Sequence, residues 1–213
     1  MKVPPTIILT AIEPGLAYAW EQICGDLKNV EIVQGSILNV NCEAIVSPAN
    51  SFGFMDGGID ALYTRYFGEQ LQERLQQLIR EKHHGELLVG NADIVLTQNQ
   101  QIPYLIAAPT MRVPMVLNNS VNPYLAARAV LLLILNGSFP DGQPIADVIK
   151  RVAFPGLGTG VGQVSFGTCA AQVRQAIEEV CFGKVEFPKS WVEASQRHQA
   201  LYGQDFKDLQ QGS

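Results

Sequence analysis

Apolar positions along the chain recur with two different spacings. Short β-branched and apolar runs, bounded by polar or glycine residues, predict strands. They lie at 6–10, 30–33, 44–46, 94–96, 104–108 and 152–154. Longer stretches with apolar residues every three or four positions predict helices. These lie at 16–27, 59–84, 123–135 and 168–180. Interleaved strands and helices predict an α/β fold, a three-layer α/β/α sandwich around a mixed central sheet.

Local signals place the ends of several helices. The long helix is expected to end near His83–His84, with Gly85 as its C-terminal cap. Asn122 is the expected N-cap of helix 123–135, and Thr168 that of helix 168–180.

The chain becomes polar after Gly183. We therefore expect a domain over 1–185 and a C-terminal tail over 186–213 that forms a docked helix. Trp191, Tyr202 and Phe206 are the candidate residues that anchor this helix by packing.

Two glycine-rich turns each follow a predicted strand. Segment 44–60 consists of a strand, a turn of small residues and the pair Gly57–Gly58 at the start of a helix. Segment 152–162 ends in Gly158-Thr159-Gly160-Val161-Gly162. Glycines allow close approach of a ligand to the backbone, and the first N–H groups of a helix are free to bind an anion. In open α/β sheets ligands bind beyond the carboxyl ends of strands. The turns are therefore expected to form two walls of one phosphate-binding cleft.

Length and charge narrow the range of ligands. A chain of 213 residues suits one domain with a sizeable core. The net charge of −5 disfavours a direct nucleic-acid-binding surface, which normally requires a basic stripe. A bound phosphate is then expected to contact backbone N–H groups and helix dipoles rather than a Lys/Arg clamp.

Cysteine spacing and hydropathy indicate the environment. The four cysteines, at positions 24, 42, 169 and 181, show no metal or disulfide pattern, so free thiols in a reducing compartment are expected. The first residues lack the apolar run of a signal peptide, and the apolar window 129–135 is too short to span a bilayer. We expect a soluble cytoplasmic protein with no membrane partner.

Several blocks, in this combination and order, resemble the macro domain, a family that binds ADP-ribose. Gly35-Ser36-Ile37 is similar to its Gly-Asp-Ile block, and 44–50 to its "AIVNAAN" block. Residues 57–60 resemble its "GGVD" helix start, and 158–162 its "STGxxG" phosphate loop. The resemblance runs from about residue 30 to residue 180.

The resemblance implies a role for each matching residue. Asn50 would hydrogen-bond the distal ribose, and Asp60 occupies the position that hydrolytic members use to position or activate a water. Ser36 and Ile37 would contact the adenine. Backbone N–H groups would hold the distal ribose and the pyrophosphate; they belong to Gly57, Gly58, Ile59, Gly158, Thr159, Gly160, Val161 and Gly162.

The chain also departs from the family pattern. Ser36 replaces the aspartate that accepts a hydrogen bond from the adenine amino group, and Ser47–Pro48 replaces an Asn-Ala pair. Met55–Asp56 replaces two glycines, which adds a carboxylate beside an anion site. Near Gly162 the loop lacks the aromatic residue of hydrolytic members. Ala107–Ala108 stands where another branch carries a nucleophilic lysine, so that mechanism is set aside.

Three polar residues of the first turn each allow two interpretations. Asn50 either contacts the ligand or caps its own loop as an Asx turn. Asp60 either acts in catalysis or complements the helix dipole as a first-turn acid. Asp56 either serves as an acid, a base or a hydroxyl acceptor, or reflects the Asp-Gly turn preference.

Three other kinds of functional motif match the sequence less well: a dinucleotide-binding fingerprint, a metal site and a nucleophile elbow. A dinucleotide-binding fingerprint requires a glycine where Gln163 stands, and its candidate acid, Glu178, lies inside a predicted helix. His83–His84 has no cluster of metal ligands around it and suits the C-terminus of a helix. The sequence around Ser165 is not a nucleophile elbow.

The function expected from the sequence is binding of ADP-ribose or a related ADP-ribosyl derivative, free or on a modified macromolecule. Hydrolysis at C1″ of the distal ribose is an open possibility, with Asp60 as general base and Asn50 orienting the ribose. Two alternatives remain: a non-catalytic macro-type binding module with altered ligand preference, and an ADP-ribose-1″-phosphate phosphatase. No metal and no cofactor are expected, with ADP-ribose itself as ligand or product.

Overall fold

A computed structural model describes residues 3–48 and 50–203. Its strands are β1 (Thr6–Ala11), β2 (Val30–Gln34), β3 (Ala44–Ser47), β4 (Asp93–Leu96), β5 (Tyr104–Ala107) and β6 (Arg151–Phe154). Its α-helices are α1 (Pro14–Cys24), α2 (Gly58–Phe67), α3 (Gln70–Lys82), α4 (Asn122–Asn136), α5 (Ile145–Val148), α6 (Phe166–Phe182) and α7 (Trp191–Ala200). A short 3₁₀ turn covers Ile37–Asn39.

The strands form one mixed sheet in the order β2-β1-β6-β3-β5-β4. All neighbouring pairs are parallel except β4 and β5. Because β1, β2, β3, β5 and β6 run in the same direction, the turns that follow them meet at one edge of the sheet. The mixed sheet predicted from the sequence is confirmed.

Helices cover both faces of the sheet, and strand residues alternate between two apolar cores. Ala44 and Val46 pack into the core beneath α1, α4 and α6, whereas Ile45 packs into the core beneath α2 and α3. Strands buried on both faces read as continuous apolar runs, which is why they were visible in the sequence. The three-layer α/β/α sandwich is confirmed.

The helix predicted over 59–84 is wrong in one respect, because the structure divides it into α2 and α3. The division falls at Gly68, whose φ of +89° is a conformation that residues with a side chain rarely adopt. Its N–H still bonds to the carbonyl of Thr64, so α2 ends there. The second helix ends at Lys82, just before the predicted stop: His83 caps α3, and Gly85 donates its N–H to the carbonyl of Ile79.

Two predicted N-caps are also wrong. The Oγ of Ser165, not Thr168, caps α6 by accepting the Thr168 N–H at 3.1 Å. Asn122 is already inside α4, and its Nδ2 donates to the carbonyl of Thr110 at 2.7 Å. The Asn122 side chain, which was predicted to cap its own helix, instead links α4 to the segment after β5.

The first helix is shifted from 16–27 to 14–24 because Pro14 occupies its first turn.

The described part of the tail contains α7. Tyr202 is buried and donates its hydroxyl to the carbonyl of Asn119 at 3.2 Å, so it anchors the end of this helix. Trp191 was wrongly expected to pack, since 75% of its surface is exposed. Phe206 lies outside the described residues. The domain boundary at 185 stays a prediction.

The remaining structural expectations concern cysteines and membranes. All four cysteines are free thiols, as predicted. Among the helices in residues 3–48 and 50–203, none combines the length and the apolarity that crossing a bilayer requires.

Candidate functional site

One cavity of about 580 Å³ lies at the edge of the sheet where the parallel strands end. This volume falls in the range typical of small-molecule sites, about 300–1,000 Å³. Residues after β1, β2, β3, β5 and β6 line it, and both glycine-rich turns contribute. The lining includes nearly every residue singled out from the sequence: Ile37, Asn50, Asp56, Gly57, Gly58, Ile59, Asp60, Gly158, Thr159, Gly160, Val161 and Gly162.

Ser36 is the sequence-predicted residue that the structure does not bring into this lining. Its Oγ accepts the N–H of Leu38 at 3.3 Å and thereby caps the 3₁₀ turn. Gly35 and Ile37, on either side, line the cavity. The predicted contact between Ser36 and an adenine therefore receives no geometric support.

The second glycine turn is a compact loop held by backbone hydrogen bonds. The Val164 N–H donates to the carbonyl of Gly158 at 3.1 Å, and the Leu117 N–H donates to that of Gly162 at 2.7 Å. A Cβ added at Gly162 would lie 2.5 Å from the Gly158 oxygen, closer than any side chain tolerates. Only glycine fits this position, which explains the residue type without reference to a ligand.

Asn50 organises the first turn through its side-chain amide. Oδ1 accepts the N–H groups of Phe52 and Phe54, at 3.1 and 3.2 Å, and Nδ2 donates to the Phe54 carbonyl at 2.8 Å. The loop-capping interpretation of Asn50 is thus what the structure shows. Asn50 also lines the cavity, and its contact with a ribose stays a prediction.

Asp60 lies in the first turn of α2 and lines the cavity, yet only 4% of its surface is exposed. The Oγ of Ser47 donates a hydrogen bond to its Oδ1 at 2.6 Å. Burial raises the pKa of Asp60 to about 7, and the Ser47 hydrogen bond opposes this shift. A carboxyl with such a pKa exchanges protons near neutral pH, as a general acid or base must.

Sequence reasoning missed three side chains at this site. Ser47 was noted only as a departure from the family pattern, although a polar residue ending an otherwise apolar strand was a usable signal. Glu13 and Arg65 also line the cavity. Neither belongs to a glycine turn, so no local pattern indicated that they would lie there.

The charges around the cavity are predominantly negative. Glu13, Asp56 and Asp60 face a single cation, Arg65, among the described residues that line it. Uncharged donors for an anion include the backbone N–H groups of the glycine turns and of the start of α2, and the hydroxyl of a lining residue such as Thr159. How a phosphate would be held here stays a prediction.

Possible metal ligands are scattered in the described chain, where no three His, Cys, Asp or Glu side chains come together to hold an ion. His83 is engaged elsewhere, with its Nε2 3.0 Å from Oδ2 of Asp93. Lys82 shares the same carboxylate at 3.4 Å. This arrangement accounts for His83 as a hydrogen-bond partner of Asp93 at the end of α3.

Comparison with known sequences identifies the family. The family model named Macro domain matches residues 46–173, and this chain belongs to that family. An uncharacterized protein of Aquifex aeolicus is 32% identical over 152 residues, which cover 71% of this chain and 81% of that protein. O-acetyl-ADP-ribose deacetylase 1 of Pantoea vagans is 30% identical over 138 residues, covering 63% of this chain and 72% of that protein.

Comparison with solved structures gives the same fold. A point mutant of the Oceanobacillus iheyensis macrodomain with ADPR superposes with a TM-score of 0.57 at 18% identity. The match covers 78% of this chain and 88% of that one. The macrodomain of Mycobacterium tuberculosis DarG has a TM-score of 0.55 at 20% identity, covering 68% and 87% of the two chains.

Proposed function

We propose that this protein binds ADP-ribose in the cavity at the carboxyl edge of its sheet. The observation that carries the proposal is the convergence of both glycine-rich turns on one cavity of about 580 Å³. Membership of the Macro domain family supports it, as does the ADPR held by a macrodomain of the same fold.

The glycine turns supply the contacts for the pyrophosphate. Backbone N–H groups of 158–162 and of the first turn of α2 would donate to its oxygens, assisted by the positive end of the α2 dipole. Asn50 and Ile59 lie beside that helix start, where the distal ribose would be placed. Such donors recognise phosphate geometry without a strong positive charge, which suits this acidic lining.

Recognition of the base is proposed here for a residue other than Ser36. Ser36 accepts the Leu38 N–H through its hydroxyl and does not line the cavity, so we assign the base to another side chain. Gly35 donates its N–H to the carbonyl of Ala11 at 2.9 Å, so the turns after β1 and β2 are adjacent. Glu13 lines the cavity on this side, and its carboxylate would accept a hydrogen bond from the exocyclic amino group of adenine.

A second, catalytic function is favoured by Asp60. A buried carboxyl with a pKa near 7, in the wall of a ligand cavity, can take a proton from water at neutral pH. The water oxygen would bond to C1″ of the distal ribose as the bond from C1″ to the attached group breaks, and the protonated Asp60 carboxyl would pass its proton to the leaving group. The name of the Pantoea vagans relative, a deacetylase of O-acetyl-ADP-ribose, supports a hydrolytic role but points to a different bond.

Calorimetric titration with ADP-ribose, ADP and AMP tests the binding proposal. We expect ADP-ribose to bind at least tenfold more tightly than ADP, because only ADP-ribose reaches the Asn50 side of the cavity. An absence of heat with ADP-ribose at millimolar concentration would overturn the proposal and favour an interaction module with another ligand.

Turnover assays test the catalytic proposal separately. The substrates are an ADP-ribosylated protein, O-acetyl-ADP-ribose and ADP-ribose-1″-phosphate, offered to the wild type and to Asp60→Asn. We expect release of ADP-ribose by the wild type and a loss of at least 100-fold in the variant, with the affinity for ADP-ribose within a few-fold. Turnover of the 1″-phosphate alone would identify a phosphatase, and no turnover by the wild type would identify a non-catalytic binding module.

A further inference from the structure

Ser47 and Asp60 form a buried pair that joins the sheet to the first turn of α2. Ser47 is fully buried at the end of β3, and its Oγ lies 2.6 Å from Oδ1 of Asp60. Their separation of thirteen positions along the chain is closed by the cavity-lining turn between them. A short hydrogen bond from a hydroxyl to a buried carboxyl is among the stronger side-chain interactions.

The fold determines why these two side chains meet. Side chains of β3 alternate, so Ser47 shares a face with Ile45, whose core lies beneath α2 and α3. Tyr63, one helical turn after Asp60, donates its hydroxyl to the Val46 carbonyl at 3.0 Å and fixes α2 against the end of the strand. Both partners are thus held by the scaffold and not by a mobile side chain.

We propose that Ser47 is the positioning residue for Asp60: its hydroxyl orients the carboxyl in the cavity wall and sets the pH at which that carboxyl ionises. The positioning role follows from the geometry alone. Its consequence for the ligand rests on the proposed function, binding of ADP-ribose in this cavity.

The buried titratable side chains near Asp60 do not change charge near neutral pH. From the same helix, Tyr63 is buried with a pKa well above its usual range. Before β3, burial raises the pKa of Cys42 to about 12. Both are therefore neutral at pH 7. The other charged groups that share the cavity are Glu13, Asp56 and Arg65.

The direction of the effect follows from the hydrogen bond. A donor to a carboxylate stabilises the ionised form, so loss of the Ser47 hydroxyl raises the pKa of Asp60 further. Loss of a hydrogen bond to a charged group shifts a pKa by roughly one to two units. An ionised Asp60 repels an anionic ligand, so ADP-ribose should bind less tightly as the pH rises through this pKa.

Carboxyl ¹³C NMR titration of the ligand-free protein tests the positioning role directly, with the Asp60 signal assigned by its loss in Asp60→Asn. We expect a midpoint near 7 in the wild type and a midpoint at least one unit higher in Ser47→Ala. Ser47→Cys keeps the size of the side chain with a weaker donor and should fall between them. A Ser47→Ala midpoint within 0.2 unit of the wild type would overturn the proposal.

Ser51→Ala is the matched control. Ser51 is also buried in the segment after β3, but its Oγ has no hydrogen-bond partner among the described residues and it does not line the cavity. The same hydroxyl deletion there should leave the Asp60 midpoint unchanged. An equal shift in Ser51→Ala would show that the effect of Ser47→Ala is a general loosening of this segment, and would overturn the proposal.

The ligand arm measures the dissociation constant of ADP-ribose between pH 5.5 and 8.5. We expect at least a threefold weakening through the Asp60 midpoint in the wild type, and the same weakening at higher pH in Ser47→Ala. A profile that is unchanged in Ser47→Ala contradicts the link from the pair to the ligand. If no variant binds ADP-ribose, the proposed function fails, whereas the NMR titration still decides the role of Ser47.

Discussion

The side-chain amide of Asn50 pairs with both main-chain groups of Phe54. Nδ2 donates to the Phe54 carbonyl at 2.8 Å, while Oδ1 accepts the Phe54 N–H at 3.2 Å. The amide thereby closes the loop that carries Phe54 into the cavity lining. The same residue builds the cavity wall and would face the ligand, so its structural and functional roles are not alternatives in this fold.

Asn50→Ala is expected to lower the free energy of unfolding by about 0.5–1.5 kcal/mol, because it removes hydrogen bonds to main-chain groups of Phe52 and Phe54 that water replaces only in part. Urea denaturation measures this. Asn136→Ala, at an exposed position at the end of α4, is the control and should change stability by less than about 0.5 kcal/mol. Equal stability of Asn50→Ala and the wild type would show that the loop holds without the amide.

Gly162→Ala and Gly160→Ala add the same methyl group to the second glycine turn, at a crowded position and at an open one. A Cβ at Gly162 meets the Gly158 oxygen at 2.5 Å, whereas one at Gly160 meets nothing within 4 Å. We expect Gly162→Ala to lose about 1–3 kcal/mol of stability and Gly160→Ala to stay near the wild type. Thermal denaturation compares them, and similar losses in both variants would contradict the loop geometry.

Asp60→Asn is expected to change how stability depends on pH. The folded protein keeps the Asp60 proton up to about pH 7, whereas the unfolded chain releases it near the ordinary pKa of 3.8. The wild type therefore loses stability as the pH rises from about 4 to 7, and the variant lacks this loss. Relative to the wild type, Asp60→Asn should gain up to about 4 kcal/mol between pH 4 and pH 8.

Urea denaturation at both pH values measures this difference. Glu21→Gln, which alters an exposed carboxyl on α1, is the control for a change of one charge. A constant difference between wild type and Asp60→Asn at all pH values would mean that Asp60 ionises normally in the folded protein.

Glu13→Ala is expected to weaken the preference for adenine. The proposed acceptor of the adenine amino group would be lost, and a hydrogen bond to a charged group is worth about tenfold or more in affinity. The measurement is the ratio of dissociation constants for ADP-ribose and its hypoxanthine analogue, which carries a carbonyl in place of the amino group. Glu21→Ala should keep the wild-type ratio, and a Glu13→Ala ratio equal to it would exclude Glu13 as the acceptor.

Local sequence patterns were sufficient to predict the sheet and the two glycine turns. Buried strands such as β3 and β6 are apolar on both faces, and a glycine turn after each is visible in the sequence. The break between α2 and α3 at Gly68 could not be predicted, because the apolar spacing of α2 continues into α3 without a change of phase. A helix period reports which side is buried and is insensitive to one residue in an unusual conformation.

The charges and hydrogen bonds of the site depend on how distant segments pack together, so they were harder to predict from the sequence. Glu13 follows β1, which lies beside β6 in the sheet, so it reaches the cavity next to the second glycine turn; no single segment reveals this strand order. The Ser47–Asp60 pair likewise requires the packing of α2 on β3. Ser36 matches a family block in position, but its Oγ caps the 3₁₀ turn by accepting the Leu38 N–H, and the residue does not line the cavity.

The central claim is that ADP-ribose occupies the cavity between the two glycine turns, and a ¹H–¹⁵N NMR titration of the full chain tests it most directly. We expect saturable shifts at the amides of Gly58, Gly160 and Gly162, which line the cavity, and none at Gly142 or Gly183, which do not. Unchanged spectra at millimolar ADP-ribose, or shifts confined to amides outside the cavity, would contradict the account.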